Sequence, residues 1–135
     1  MGPGMDEAPD NGTILLIEDE EVVQEVCCVL LQRLGYHTIV ARTGSDAVDL
    51  ARSHDGDIDL VLLDIVLPDM AAKDIYTQIL AARPYLKVLI CSGGAIDGPA
   101  QEILDKGAEG FLQKPFTLST LSARLDEILI GRKIA

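Results

Sequence analysis

The sequence predicts an α/β protein: a doubly wound, five-stranded parallel sheet with five helices. Three observations carry this. Near-continuous apolar runs such as Ile14 to Ile17 and Leu60 to Leu63 read as strands buried on both faces, which is how parallel strands read. These runs alternate with longer segments whose apolar residues recur at helical spacing. The chain has 135 residues, 48% of them hydrophobic, with no repeat and no internal linker, which suits one domain with a sizeable core.

In chain order, TILLIE (Thr13 to Glu18) is the first strand. Val23, Val26, Cys27, Leu30, Leu31 and Leu34 then mark a helix that Gly35 stops. HTIVA (His37 to Ala41) is the second strand. The helix over Thr43 to His54 turns Ala47, Val48, Leu50 and Ala51 inward, with Ser45 or Thr43 as its cap. DLVLLD (Asp59 to Asp64) is the third strand, followed by a loop containing Pro68. The helix over Ala71 to Pro84 must end near its proline. KVLICS (Lys87 to Ser92) is the fourth strand, and a loop over GGAIDGP leads to a short helix over Ala100 to Gly107. GFLQK (Gly110 to Lys114) is the fifth strand. The last helix, Thr117 to Ile130, carries Leu118, Leu121, Leu125, Ile128 and Leu129 as its stripe.

The domain is expected over residues 13–131, with a tail over 132–135. Residues 1–12 are polar and turn-rich and are expected to be disordered. Their opening MGPG reads as an expression scar, with Met5 the natural start. There are 22 acids against 11 bases, a net charge of -11. That argues against direct nucleic-acid binding through a basic face and disfavours contact with an anionic membrane. Cys27, Cys28 and Cys91 are odd in number and two are adjacent, so they read as reduced core residues of a cytoplasmic protein. No apolar run approaches the roughly 18 residues a membrane span needs.

Two core strands end in acid, and an unpaired carboxylate in a core costs several kcal/mol. In parallel sheets, ligands bind outside the carboxyl ends of the strands. Glu18 and Asp19 end the first strand, Asp64 the third, Ser92 the fourth and Lys114 the fifth. If the first, third and fourth strands are neighbours, three carboxylates crowd one edge and raise one another's pKa values. A divalent cation relieves that repulsion, and an all-oxygen set points to Mg2+. Lys114 adds a point charge for a phosphate oxygen, and Ser92 a hydroxyl. The sum suits phosphoryl transfer, with Asp64 as the nucleophile that becomes an aspartyl phosphate.

LLIEDEE, LVLLDIVLPDM, LICSGG and GFLQKPF, in this order and at these strand ends, resemble the receiver domain of bacterial two-component response regulators, over about Thr13 to Ile130. The resemblance implies a flavodoxin-like sheet of strand order 2-1-3-4-5. It implies that Asp64 accepts a phosphoryl group from a histidine kinase or histidine phosphotransfer protein. Asp19, Asp64 and the Val66 carbonyl would bind Mg2+, with Glu18 acting largely through water. Ser92 would move to the phosphoryl oxygens, Phe111 would rotate inward behind it, Lys114 would pair with the phosphoryl group, and the Lys114–Pro115 bond would be cis. Phosphorylation would change the surface formed by the fourth helix, fifth strand and fifth helix. The domain would be a phosphoacceptor rather than a stand-alone enzyme, and a homodimer is compatible with the family.

The chain departs from the pattern at Ala72, where the family commonly has glycine. Val66 and Gly94, two residues past Asp64 and Ser92, would tune access to the phosphoryl group and hence its lifetime. Two other readings compete. A phosphatase with an aspartyl intermediate usually carries a second Asp where this chain has Val66. A degenerate receiver that only docks would lack some of the five chemical positions, and all are present. Taken singly, Asp64 is a turn residue as readily as a nucleophile, and Ser92, Phe111 and Lys114 are ordinary loop, core and strand-end residues. Glu20 and Glu21 read as first-turn acids, Asp69 as a solvated turn residue, and His37 and His54 as surface or strand-edge residues. The polar start and the abrupt end at LIGRKIA lean toward an excised domain, such as the receiver of a hybrid histidine kinase.

Overall fold

The structure, a computed structural model, describes residues 11–134, with side chains described as far as Leu129. Five strands, β1 (Gly12–Ile17), β2 (Tyr36–Ala41), β3 (Leu60–Asp64), β4 (Lys87–Ser92) and β5 (Gly110–Gln113), alternate with five helices. The helices are α1 (Glu21–Arg33), α2 (Gly44–Ser53), α3 (Ala72–Ala82), α4 (Gly98–Lys106) and α5 (Leu118–Ile134). All pairings are parallel and the strand order is β2-β1-β3-β4-β5, so the fold is the expected doubly wound, flavodoxin-like one.

Alternation along the strands divides the core into two layers. Leu15, Ile17, Val61, Leu63, Val88 and Ile90 point to one face, which α2, α3 and α4 cover with Ala47, Val48, Ile75, Ile79 and Ile103. Ile14, Leu16, Leu60, Leu62, Leu89 and Cys91 point to the other, covered by Cys27 and Leu31 of α1 and Leu121, Leu125 and Leu129 of α5. The period of two continues past the apolar runs. Glu18 follows Ile14 and Leu16, Asp64 follows Leu60 and Leu62, and Lys114 follows Leu112. All three therefore leave their strands toward the α1/α5 side.

Several boundaries differ from expectation. Asn11 donates its amide N–H to Gly35 O and its side chain to Leu34 O, and Gly12 opens β1, so the ordered fold begins before Thr13. Residues 1–10 lie outside the described residues, as does the scar proposed there. β2 gains Tyr36, α4 starts at Gly98, and α5 runs through Ile134 where a tail was expected. The α4 start is explained by Asp97, whose carboxylate accepts from Ala100 N at 3.0 Å, with Pro99 in the first turn.

Val26 is 53% exposed and does not join the inward stripe of α1. Gln24 is buried in its stead, its Nε2 donating to Glu18 O at 2.6 Å. Asp69 is not merely solvated: its carboxylate accepts from Gly44 N and Ser45 N at the start of α2. Thr43, not Ser45, is the side-chain cap of that helix, accepting from Asp46 N at 3.0 Å. Cys27 and Cys91 are buried, Cys28 is half-buried, and all three are free thiols. Burial pushes the Cys27 thiol up to about 11 and the Cys91 thiol higher still, as core residues should behave. Among the described residues no helix is long and apolar enough to cross a membrane.

Candidate functional site

In the order β2-β1-β3-β4-β5, the connections reverse direction between β1 and β3, and the crevice of such a sheet opens there. The residues that end β1 and β3 meet at this point. Carboxylate oxygens of Glu18, Asp19 and Asp64 lie within 4.8 Å of one another. Glu18 and Asp64 are only 1% and 4% exposed, while Asp19 faces solvent.

Two buried carboxylates this close demand a counter-charge. Lys114 supplies one from just past the end of β5, across β4. Its ammonium stands 2.5 Å from Glu18 Oε1 and 3.4 Å from Asp64 Oδ2. Backbone donors add to this: Glu20 N reaches Glu18 Oε2 at 3.2 Å, and Val66 N reaches Asp64 Oδ1 at 3.0 Å. The compensation of Asp64 is incomplete. Burial pushes its carboxyl up to about 6; the Val66 N–H and Lys114 pull it down, and Glu18 pushes it up further. At Lys114, burial acts to lower the pKa, but the Glu18 hydrogen bond and the surrounding negative groups outweigh it, and the net shift is upward.

The remaining sequence candidates sit around this pocket. Ser92 ends β4 and is 8% exposed; its Oγ accepts from Gly94 N at 3.2 Å, so the hydroxyl is engaged in its own turn. The Ser92 carbonyl accepts from Lys114 N at 2.7 Å and so ties the end of β4 to the end of β5. Phe111 lies opposite Ile90, on the sheet face covered by α4, and is half-buried there. It is thus on the far side of the sheet from Lys114. The Lys114–Pro115 peptide is cis. Val66 is 70% exposed, and a side chain at Gly94 would meet only Ser92 Oγ, at 4.0 Å, so neither position is closed off by packing.

The donor set suits a hard divalent cation. It is all oxygen, three carboxylates gather within one ion's reach, and Asp64, its carboxyl pushed up first by burial and then by Glu18, keeps a charge that the lysine does not fully compensate. Two relationships were not visible in the sequence. Glu18 is the main partner of Lys114, and Gln24 locks the Glu18 backbone from α1. Only the helical spacing of Gln24 with Cys27 and Leu31 hints at its inward position.

The comparison with known proteins agrees with the geometry. The family model for the response regulator receiver domain matches residues 14–126. The chain belongs to the receiver domain family. This receiver is 32% identical over 119 residues to the sensor kinase CckA of Brucella abortus (strain 2308), covering 88% of this chain and 13% of that protein. It is 38% identical over 126 residues to the DNA-binding transcriptional regulator NtrC of Rhizobium meliloti (strain 1021), covering 93% of this chain and 24% of that one. The receiver therefore spans a minor part of the curated relatives it matches. Among solved structures, the non-phosphorylated HemR receiver domain from Leptospira biflexa superimposes with a TM-score of 0.77 at 30% identity, over 88% of this chain and 94% of that one. The response regulator TrrA from Thermotoga maritima, in complex with Mg2+ and BeF, shares the fold at a TM-score of 0.75 and 23% identity, over 87% of this chain and 99% of that one. The receiver of two-component systems is a phosphoacceptor switch, and neither the phosphatase nor the docking-only reading is favoured.

Proposed function

We propose that Asp64 of this receiver accepts a phosphoryl group from a phosphohistidine on a histidine kinase or histidine phosphotransfer protein, in a Mg2+-dependent reaction in the cytoplasm. The single observation that carries this is the convergence of Glu18, Asp19 and Asp64 at the switch point of the sheet with the Lys114 ammonium beside them. An Asp64 oxygen attacks phosphorus as the P–N bond breaks, and the electron pair leaves on the histidine nitrogen. Asp19, Asp64 and the Val66 carbonyl would hold the ion, with Glu18 beside them, and that ion would supply neutralisation of phosphoryl oxygen charge. Lys114 exchanges part of its hold on Glu18 for a phosphoryl oxygen. Ser92 turns its hydroxyl from Gly94 N toward the same group. Phe111, behind β5 and beneath α4, follows that movement, and the surface of α4, β5 and α5 changes. Val66 and Gly94 set water access to the product.

A donor must approach over Asp64. The surface beside it is apolar: Val22 and Val26 are 72% and 53% exposed on α1. With Cys27, Lys114, Pro115 and Phe116 they line a groove of about 480 Å³. Lys114 belongs to both groove and site, so a partner seated there delivers its histidine to Asp64.

Incubation with acetyl phosphate and Mg2+, followed by mass spectrometry, tests the assignment. The expected result is one added phosphoryl group that maps to Asp64 and is absent from Asp64→Asn. Labelling of Asp64→Asn at the wild-type stoichiometry would overturn it.

A further inference from the structure

The loop that follows Asp64 is fastened to a helix outside the site. Asp69 Oδ1 accepts from Gly44 N at 2.9 Å and Oδ2 from Ser45 N at 3.0 Å. Both donors are unused backbone N–H groups in the first turn of α2, where a negative charge is favoured by the helix macrodipole. The approach is close because residue 44 lacks a side chain: a Cβ there would stand 2.9 Å from Met70 Cβ and 2.8 Å from Ile75 Cδ1. At its other end, α2 is held by Arg83, which caps α3 and donates to Ala51 O, His54 O and Gly56 O at 2.6 to 2.9 Å. An acid thus sits at the N-terminal end of α2 and a guanidinium at its C-terminal end. Both come from the stretch that begins at the phosphoacceptor strand.

Between Asp64 and Asp69 the loop is held at its start, where Ile65 is buried and its N–H reaches Cys91 O at 3.2 Å, and past Ile65 the backbone has few anchors. Val66 and Pro68 are exposed, so their side chains do not anchor the backbone that carries the Val66 carbonyl. Leu67 packs only at the edge of the core. The Val66 N–H is tied to Asp64 at 3.0 Å, and the next side-chain hydrogen bonds from the loop are those of Asp69 on α2. Thr43 already supplies α2 with a cap of its own through Asp46 N. Asp69 is therefore not required merely to start the helix.

We propose that Asp69 is a positioning residue for the metal site: seated on the N-terminus of α2, its carboxylate fixes the β3–α3 loop and with it the Val66 carbonyl that binds Mg2+. This inference rests on the reading in the preceding subsection. A purely structural cap would act on α2 alone, and Thr43→Ala is the matched control because it strips the same helix end without touching the loop. The experiment is a calorimetric Mg2+ titration of the wild-type chain, Asp69→Ala, Asp69→Asn and Thr43→Ala, with urea unfolding of each. Asp69→Ala weakens Mg2+ binding by about tenfold, the scale of a group that orients a metal ligand from outside its first sphere. Asp69→Asn, which keeps one carbonyl oxygen, falls between. Thr43→Ala lowers the urea midpoint but leaves Mg2+ affinity unchanged. Wild-type affinity in Asp69→Ala, or an equal loss in Thr43→Ala, overturns the inference alone. A wild-type chain that binds no Mg2+ overturns the preceding reading and this one with it.

Discussion

Lys114 is held by Glu18 more closely than by Asp64: its Nζ lies 2.5 Å from Glu18 Oε1 and 3.4 Å from Asp64 Oδ2. Both acids are buried, so Lys114 is a structural counter-ion before it touches any phosphate. Removing one partner of a buried ion pair leaves the other uncompensated, at about 3–5 kcal/mol, whereas an exposed pair is worth about 1 kcal/mol or less. Lys114→Met is expected to lower stability by about 3 kcal/mol on this scale. The check is the urea midpoint at pH 7 in EDTA. A loss under about 1 kcal/mol would mean the pair behaves as a surface bridge.

Asp64 gives the metal-free receiver a pH dependence opposite to that of ordinary paired carboxylates. Its folded value is pushed up to about 6 from an ordinary 3.8, by burial first and by Glu18 in addition. Between those values the folded chain keeps a proton that the unfolded chain has released. Stability contributed by this group is therefore full below about pH 4 and falls as pH rises through about 6. Urea midpoints measured in EDTA for wild type minus Asp64→Asn should decline across that window. A flat difference would show that Asp64 titrates normally.

Much of this was legible in the residues themselves. Apolar runs ending in acid placed β1 and β3, and the period of two along each strand is enough to send Glu18, Asp64 and Lys114 to one side of the sheet. Asp69 and Gln24 were not legible, because each bonds backbone outside its own element: Asp69 a helix start 25 residues earlier, and Gln24 the Glu18 carbonyl six residues back, just past β1. Val26 was misplaced because apolar spacing fixes a period, not a phase. α1 carries valines on two faces, and only packing against β1 and α5 decides which is covered. The partnership of Glu18 with Lys114 spans 96 residues and no local pattern announces it.

Gly44 is expected to resist replacement. Inside a helix, alanine ordinarily stabilises by up to about 1 kcal/mol over glycine. Here its Cβ would stand under 3 Å from Ile75 Cγ1 and Cδ1 and from Met70 Cβ. Ile75 is fully buried and cannot swing away. Overpacking of this kind costs about 1–3 kcal/mol, so Gly44→Ala should be net destabilising by about 1 kcal/mol. Chemical denaturation of the two proteins decides the sign, and a stabilised variant would mean the loop yields.

Two phosphodonors separate chemistry at Asp64 from docking beside it. Acetyl phosphate needs only the pocket, whereas under the proposed docking a phosphohistidine protein would also cover the groove along Val22 and Val26. A carboxylate at the centre of that apolar surface would be desolvated without a partner. Val26 is 53% exposed, so Val26→Asp should fold as the wild type does. Its labelling by acetyl phosphate should match wild type, while transfer from a phosphorylated histidine kinase or phosphotransfer protein should slow by about tenfold, the effect of roughly 1.4 kcal/mol of lost docking. Equal slowing with both donors would place the damage in the pocket, and unchanged transfer from the protein donor would place the docking surface elsewhere.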